Sequence, residues 1–261
     1  MTRWRGLVKK EWVVNWKGMG LLIAVSTAIT LFSVSYAYKG IPEDFSTTVS
    51  ILIETLAKVH IWYAFIVFIN GLKQDMDRSD TWLHSMATAI ELISAKIVIL
   101  LFMVLGSLII CTLLLGGVYY SWGGMLPIAT GLAFSVSSIV AILQNSLVLM
   151  VGGLAAWVIF HILRSRIGKV AYLVTGMSVI VGIFVWLALL TTDAFYSLNE
   201  MGPLFTSITV DYPDLSYRNF IIMGIAPESS FITIGNSVLY AVLSVALFIT
   251  STVLFEKKVR L

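Results

Sequence analysis

The stretch Gln74–Lys96, "QDMDRSDTWLHSMATAIELISAK", gathers Asp75, Asp77, Arg78, Asp80, Glu91 and Lys96 with His84, in a chain of 261 residues that is 59% hydrophobic and 12% charged. Soluble domains carry about 25% charged residues. With a mean hydropathy of +0.95, the chain reads as an all-α integral membrane protein, and this stretch as a piece of it that stays in water. The formal charge of +3 is too small to suggest a nucleic-acid partner. The single cysteine, Cys111, lies in an apolar run and reads as a small packing residue.

Working outward, six runs are long and apolar enough to cross about 30 Å of hydrocarbon as helices. They lie at about 18–38, 49–70, 96–118, 137–163, 169–190 and 234–255. The second is the most polar, with Glu54, Lys58 and His60 in its first half. Residues 119–136, with Gly123, Gly124 and Pro127, read as an external loop or re-entrant piece. The run Gly18–Tyr38 is too long for the apolar core of a signal peptide and reads as a span.

Orientation follows from the basic residues. With the N-terminus in the cytoplasm, all of the 17 Lys and Arg except Lys39, Lys58 and Arg218 fall on the inner side. Glu43, Asp44, Asp193, Glu200, Asp211, Asp214 and Glu228 then lie outside. Six spans with both termini inside satisfy this bias. An extra crossing within 125–163 would turn the later basic clusters outward.

Three pieces lie between or beside the spans. In residues 1–17, Trp4, Val8, Trp12 and Trp16 recur every four residues, with Leu7 beside them and Lys9, Lys10 and Lys17 largely off that face. This reads as an amphipathic helix lying in the membrane interface, against lipid. The external stretch 191–233 carries Pro213, Pro227 and several acids, and its patch Phe220–Ala226 is too short to span. In the opening stretch, Asp75, Asp77, Ser79 and Asp80 are residue types that start helices. Thr88-Ala89-Ile90-Glu91 is a capping-box pattern ahead of an apolar run. The reading is a short cytoplasmic helix over about 79–87, then a second helix from Thr88 into the third span.

Several chemistries are absent from the sequence. There is no Gly-x-x-x-x-Gly-Lys-Ser/Thr for nucleotide binding, no His-Glu-x-x-His, and no Gly-x-Ser-x-Gly. His60, His84 and His161 are scattered, against a zinc site. No cofactor or metal is expected in this chain, nor enzymatic activity. In the second span, Glu54 and Lys58 sit one helical turn apart and could pair, either lining a pathway near the outer side of the membrane or sitting in the outer interface, with His60 on a different face. Gln144 and Asn145, followed by Ser146, could line a path or bond a neighbouring helix. Gly152-Gly153 would allow close helix approach.

The arrangement resembles the type-2 ABC exporter permeases, the membrane subunits of one class of ATP-driven exporters. "RGLVKKEWVVNWKG" (5–18) is similar to the family's connecting helix ahead of the first span. "DTWLHSMATAIELISAKIVILL" (80–101) looks like its coupling region between spans two and three, including the lysine, Lys96, that opens span three. "IAPESSF" (225–231) and "VALFITSTVLFEKKVRL" (245–261) resemble its pattern before and through the last span. Many members carry a proline after the coupling helix, where this chain has Met86-Ala87.

The resemblance implies a pair of six-span subunits, identical or not, in a plasma membrane, such as that of a bacterium. Each would rest on a cytoplasmic ATPase that binds ATP and Mg²⁺. The contact residues would be Asp75, Asp77, Arg78, Asp80, Trp82 and His84, with Arg164 and Arg166 as a second contact. The candidate pathway residues are Glu54, Lys58, Gln144 and Asn145. The exported substrate would be a peptide, an antibiotic-like molecule or a lipid. The alternative is a secondary transporter or channel that needs no ATPase.

Overall fold

The computed structural model describes residues 2–39, 45–77, 87–121, 128–190 and 234–258, with the isolated residues 192, 197 and 201. These residues form six helices: α1 (Thr2–Lys39), α2 (Phe45–Asp77), α3 (Ala89–Ser121), α4 (Ile128–Ile167), α5 (Val170–Leu190) and α6 (Ile234–Lys258). Among the described residues there is no strand. Helices are the expected solution, because a span that closes its own backbone hydrogen bonds leaves none unmet in lipid.

Five of them contain stretches long and apolar enough to cross a bilayer: Arg3–Phe32, Thr55–Asp77, Ala89–Gly117, Ser135–Ile167 and Ser237–Lys258. In α5 the corresponding apolar stretch is shorter, Val170–Trp186. Five expected spans fall inside their helices, and the sixth, 169–190, matches α5 to within one residue. The other helices extend past the expected ends. The stretch 128–136 belongs to α4 rather than to a loop or re-entrant piece, and only 122–127 of that region lies outside the described residues.

α1 runs from Thr2 to Lys39 without interruption at residues 17–18, so the expected tail helix and the first span form one helix. The glycines there, Gly18 and Gly20, each cost about 1 kcal/mol against alanine, which is too little to end a helix. At 1.5 Å per residue, α1 is about 57 Å long, nearly twice the hydrocarbon thickness. Its first turns therefore extend beyond the span while remaining part of the same rod.

α3 is the central helix. It packs on α1, α2, α4 and α6, and Leu92, Ile93, Ile97, Leu100, Met103 and Val104 are all buried along it. An apolar surface on all sides suits a helix that packs on several others and leaves Phe102, Ile109 and Leu113 exposed at its open side. The core is completed by Phe68 and Leu72 of α2, Met150, Leu154 and Val158 of α4, and Phe255 of α6. α5 is peripheral and packs chiefly on α4. Leu173, Met177, Val181 and Phe184 stand exposed along it, as lipid-facing residues do.

Glycine sets two close approaches. A Cβ on Gly153 of α4 would fall on the Phe65 ring of α2, with Ile69 Cδ1 at 3.2 Å, whereas one on Gly152 would meet nothing within 4 Å. The Gly-Gly pair thus does mark a helix interface, through its second member. Gly168, at φ +58°, makes the tight turn between α4 and α5. Its N–H donates to the Arg164 carbonyl at 3.1 Å, a left-handed helix stop that glycine adopts without strain.

Candidate functional site

The helix order brings the start of α1, the end of α2, the start of α3 and the ends of α4 and α6 to one pole of the bundle. Contacts between distant residues fix this. The Trp4 indole N–H donates to Ser94 Oγ at 3.4 Å, and the Ala89 N–H donates to Glu256 Oε1 at 2.8 Å. The Trp157 and Phe255 rings lie 5.4 Å apart, which ties α4 to α6 near the same level. Lys9, Lys10, Lys73, Lys96, Arg164, Arg166, Lys257 and Lys258 all belong to this basic pole.

At its centre is a buried charge cluster on three helices. Lys96 Nζ of α3 donates to Glu11 Oε1 of α1 at 2.9 Å and lies 3.0 Å from Asp75 Oδ2 of α2. The Lys96 and Glu11 side chains are only 8% and 6% exposed, and Asp75 is 15% exposed. The contact to Asp75 Oδ2 is an ion pair off the line of a hydrogen bond, since that oxygen has no aligned donor. Lys10, half-exposed, stands 3.9 Å from both Glu11 Oε1 and Asp75 Oδ1. One buried cation therefore sits between two carboxylates, and a second at the rim balances the charge.

The Lys96 stem lies beside Gly71 of α2, with Nζ 3.5 Å from where a Cβ would stand, an ordinary contact distance. The start of α3 is fixed by the expected capping box. The Thr88 N–H donates to Glu91 Oε2 at 3.0 Å, and the Glu91 N–H donates to Thr88 Oγ1 at 3.2 Å. Glu256 accepts from the next N–H, so two carboxylates face the positive end of α3. Ala87 and Thr88 lie outside the helix, and the cap, not a proline, ends the connection from α2.

Asp75 and Asp77 do not start a helix, in contrast to the sequence reading. They occupy the last turn of α2, where an anion faces the negative end of the helix dipole. For Asp75, Lys96 and Lys10 offset that cost. Asp77 is exposed. Arg78, Asp80, Trp82 and His84, with the short helix expected over 79–87, lie outside the described residues, except Ala87. So does nearly all of the external stretch 191–233.

Arg164 and Arg166 are exposed in the last turn of α4. The Arg164 guanidinium lies 5.9 Å from the centre of the Phe160 ring. In the tail, Trp4, Trp12 and Trp16 are exposed while Leu7 and Val8 pack on the core and Glu11 is buried. The inward face is thus Leu7, Val8 and Glu11, with the tryptophans on the outer surface. Sequence reasoning missed Glu11. Its signal was its place as a lone acid among Arg3, Arg5, Lys9, Lys10 and Lys17.

With this geometry in place, comparison against protein-family models, curated proteins and solved structures returned no match to any of the three. The site is therefore read from its own chemistry.

The candidate pathway residues are only partly gathered. α2 and α4 run in the same direction, in register through Gly153 and Phe65. Counting two turns back from that contact brings Asn145 near the level of Lys58. Lys58 is exposed, and the side chain of Glu54 lies outside the described residues. Asn145 Nδ2 donates to the Ala141 carbonyl at 2.9 Å and Ser146 Oγ to the Ile142 carbonyl at 2.7 Å. Both side chains thus donate to the backbone of their own helix. Gln144 is half-buried.

A second polar cluster was not anticipated. It lies between α1, α2 and α3, well inside the spans. His60 is fully buried, on the opposite side of α2 from exposed Lys58, as its spacing implied. Its Nδ1 is 2.6 Å from the Leu56 carbonyl. A carbonyl only accepts, so Nδ1 carries the proton and donates. Nε2 is then free to accept from the Ser107 hydroxyl at 3.0 Å. The Cys111 thiol stands beside the hydroxyls of Thr30, Ser107 and Ser26.

Proposed function

We propose that this chain is the membrane-spanning permease subunit of an ATP-driven ABC exporter, working as a pair of such subunits on cytoplasmic ATPases. The reading takes the basic pole as cytoplasmic, in keeping with the positive-inside bias. The observation that carries it is the Glu11–Lys96–Asp75 cluster. It fastens the start of α1, the end of α2 and the start of α3 into one unit beside the α2–α3 connection. A push on that connection by a partner would reach three spans at once through rigid helices. Arg164 and Arg166 would give a second contact, at the α4–α5 turn. In this reading the protein carries no reaction of its own, and ATP and Mg²⁺ are bound by the partner. The substrate classes are peptides, antibiotic-like molecules and lipids.

The test is purification of the tagged chain from its own membrane in mild detergent, with assay of vanadate-sensitive ATP hydrolysis. A P-loop ATPase should co-purify and hydrolyse ATP. An Asp80→Ala, Trp82→Ala double variant should lose most of that association. Full retention of the ATPase by this variant would remove the docking role of the segment. A chain that purifies alone, without ATP hydrolysis, yet moves solutes in liposomes would favour the second reading, an ATPase-independent secondary transporter or channel. The buried His60 cluster is the observation on that side, because an ionisable group inside a span often marks an ion path.

A further inference from the structure

We infer that the outer face of α1, at Lys9, Val13, Trp16 and Lys17, is a docking site for the headgroup of an anionic phospholipid in the leaflet at the basic pole. No ATPase partner is needed for this.

Glu11 fixes the rotation of α1. It is the only acid of that helix, and its carboxylate is turned inward onto Lys96. At about 100° per residue, Lys9 then stands about 160° and Lys17 about 120° round the helix from it. Both lysines are exposed. The ion pairs made by α1 use Lys10 and Glu11, and neither Lys9 nor Lys17 has one among the described residues. Burying the one acid therefore leaves an outer face with cations and no anion.

That face is also open. Gly6 and Gly20 bracket it, and a Cβ on either would meet nothing within 4 Å, so no other described helix covers this side. Val13 and Trp16 stand 59% and 55% exposed between the two lysines.

Depth in the membrane assigns the occupant. About 30 Å of hydrocarbon takes about 20 residues of helix. With the end of α1 at Lys39 on the outer surface, the inner edge of the hydrocarbon falls near Gly18. Val13 lies about 7 Å further along the helix, in the headgroup layer, and Lys9 about 13 Å. Lysine stems lie along apolar surface while their charged heads seek water or an anion. Lys17 reaches out from the hydrocarbon edge and Lys9 reaches in from the aqueous side, so a phosphate level with Val13 is within range of both. Trp16 sits at the edge itself, where tryptophan is favoured, and its indole N–H is a further donor. A second copy of this chain, seated here by two-fold symmetry, would set these cations against their own counterparts with no acid to offset them. A phospholipid instead brings an anion to the lysines and apolar chains to the tryptophan, in the order in which α1 presents them.

The experiment uses the full chain in nanodiscs of dioleoylphosphatidylcholine carrying a minor fraction of brominated lipid, either phosphatidylglycerol or phosphatidylcholine. Trp16 emission is isolated as the difference between the wild type and Trp16→Phe. Brominated phosphatidylglycerol should quench this component as though enriched about fivefold over brominated phosphatidylcholine, the effect of a single cation near an anionic headgroup being of that size. A Lys9→Gln, Lys17→Gln double variant should lose the preference yet still be quenched by both lipids. A Lys257→Gln, Lys258→Gln double variant, which removes the same charge elsewhere on the pole, should keep it. All four lysines are exposed, so neither variant disturbs the packed core. Equal quenching by the two lipids in the wild type would overturn the inference. So would a preference that survives Lys9→Gln, Lys17→Gln, or one lost equally in the Lys257→Gln, Lys258→Gln variant. Trp16 emission untouched by either lipid would overturn it too, because protein would then cover the face.

Discussion

Replacing Lys96 by methionine should be among the most damaging single changes in the protein, and it should cost more than replacing the acid it bonds. Lys96 is the only deeply buried cation in a cluster with two carboxylates, at 2.9 Å and 3.0 Å. Removing it leaves Glu11 and Asp75 facing each other, with only Lys10 at 3.9 Å from each to compensate. Removing one partner of a buried pair typically costs about 3–5 kcal/mol, and the high end applies where like charges remain. Glu11→Gln is different. It leaves Lys96 paired with Asp75, leaves Lys10 free to turn into water, and keeps an amide oxygen able to accept from Nζ. The loss is then about 1–2 kcal/mol, the difference between a charge-assisted and a neutral hydrogen bond. The double variant, Glu11→Gln with Lys96→Met, should recover part of the Lys96→Met loss, because one of two unpaired anions has gone. Reversible unfolding of the four proteins in mixed micelles, set out as a double-mutant cycle, measures these terms. If Lys96→Met lies within about 1 kcal/mol of the wild type, or costs less than Glu11→Gln, the cluster is not the fastening described here.

Three further outcomes follow from local geometry. Gly153→Ala should destabilise the α2–α4 contact by about 1–3 kcal/mol, since its Cβ must displace the Phe65 ring, while Gly152→Ala should be close to neutral; thermal unfolding in detergent compares them. Thr88→Ala should cost about 0.5–2 kcal/mol through loss of the cap on α3, read by the same melt. Glu256→Gln should weaken the hold of α6 on the start of α3, seen as faster amide hydrogen exchange at Ala89.

The spans were legible because lipid imposes a long apolar run on each of them. The Thr88–Glu91 cap was legible because both its partners lie within one turn. The Gly152-Gly153 pair was legible as a close-approach site, but not which of the two makes the contact, and the opposed placement of Lys58 and His60 followed from helical spacing. What could not be read was the pairing of Glu11 with Lys96, 85 positions apart, because ion pairs between distant helices leave no periodic trace. Asp75 misled for a related reason. Its local preference is to start a helix, and it ends one because cations from α1 and α3 surround it. The tail was read as a helix, and it is continuous with the first span because no residue between them is a strong helix breaker.

The two polar clusters share one seam, and this bears on how the helices move. Packed apolar faces such as that between α3 and α4 shift by small steps and have no charge to lose. The α1–α2–α3 seam differs, because separating its helices at the basic pole would expose Glu11 to Lys10 and water while stripping it from Lys96. Parting that buried pair would cost about 3–5 kcal/mol, so the three helices hold together as one unit at this pole. The start of α1, which the sequence presents as a surface helix, is therefore fixed to α2 and α3 through Glu11, Lys96 and Asp75.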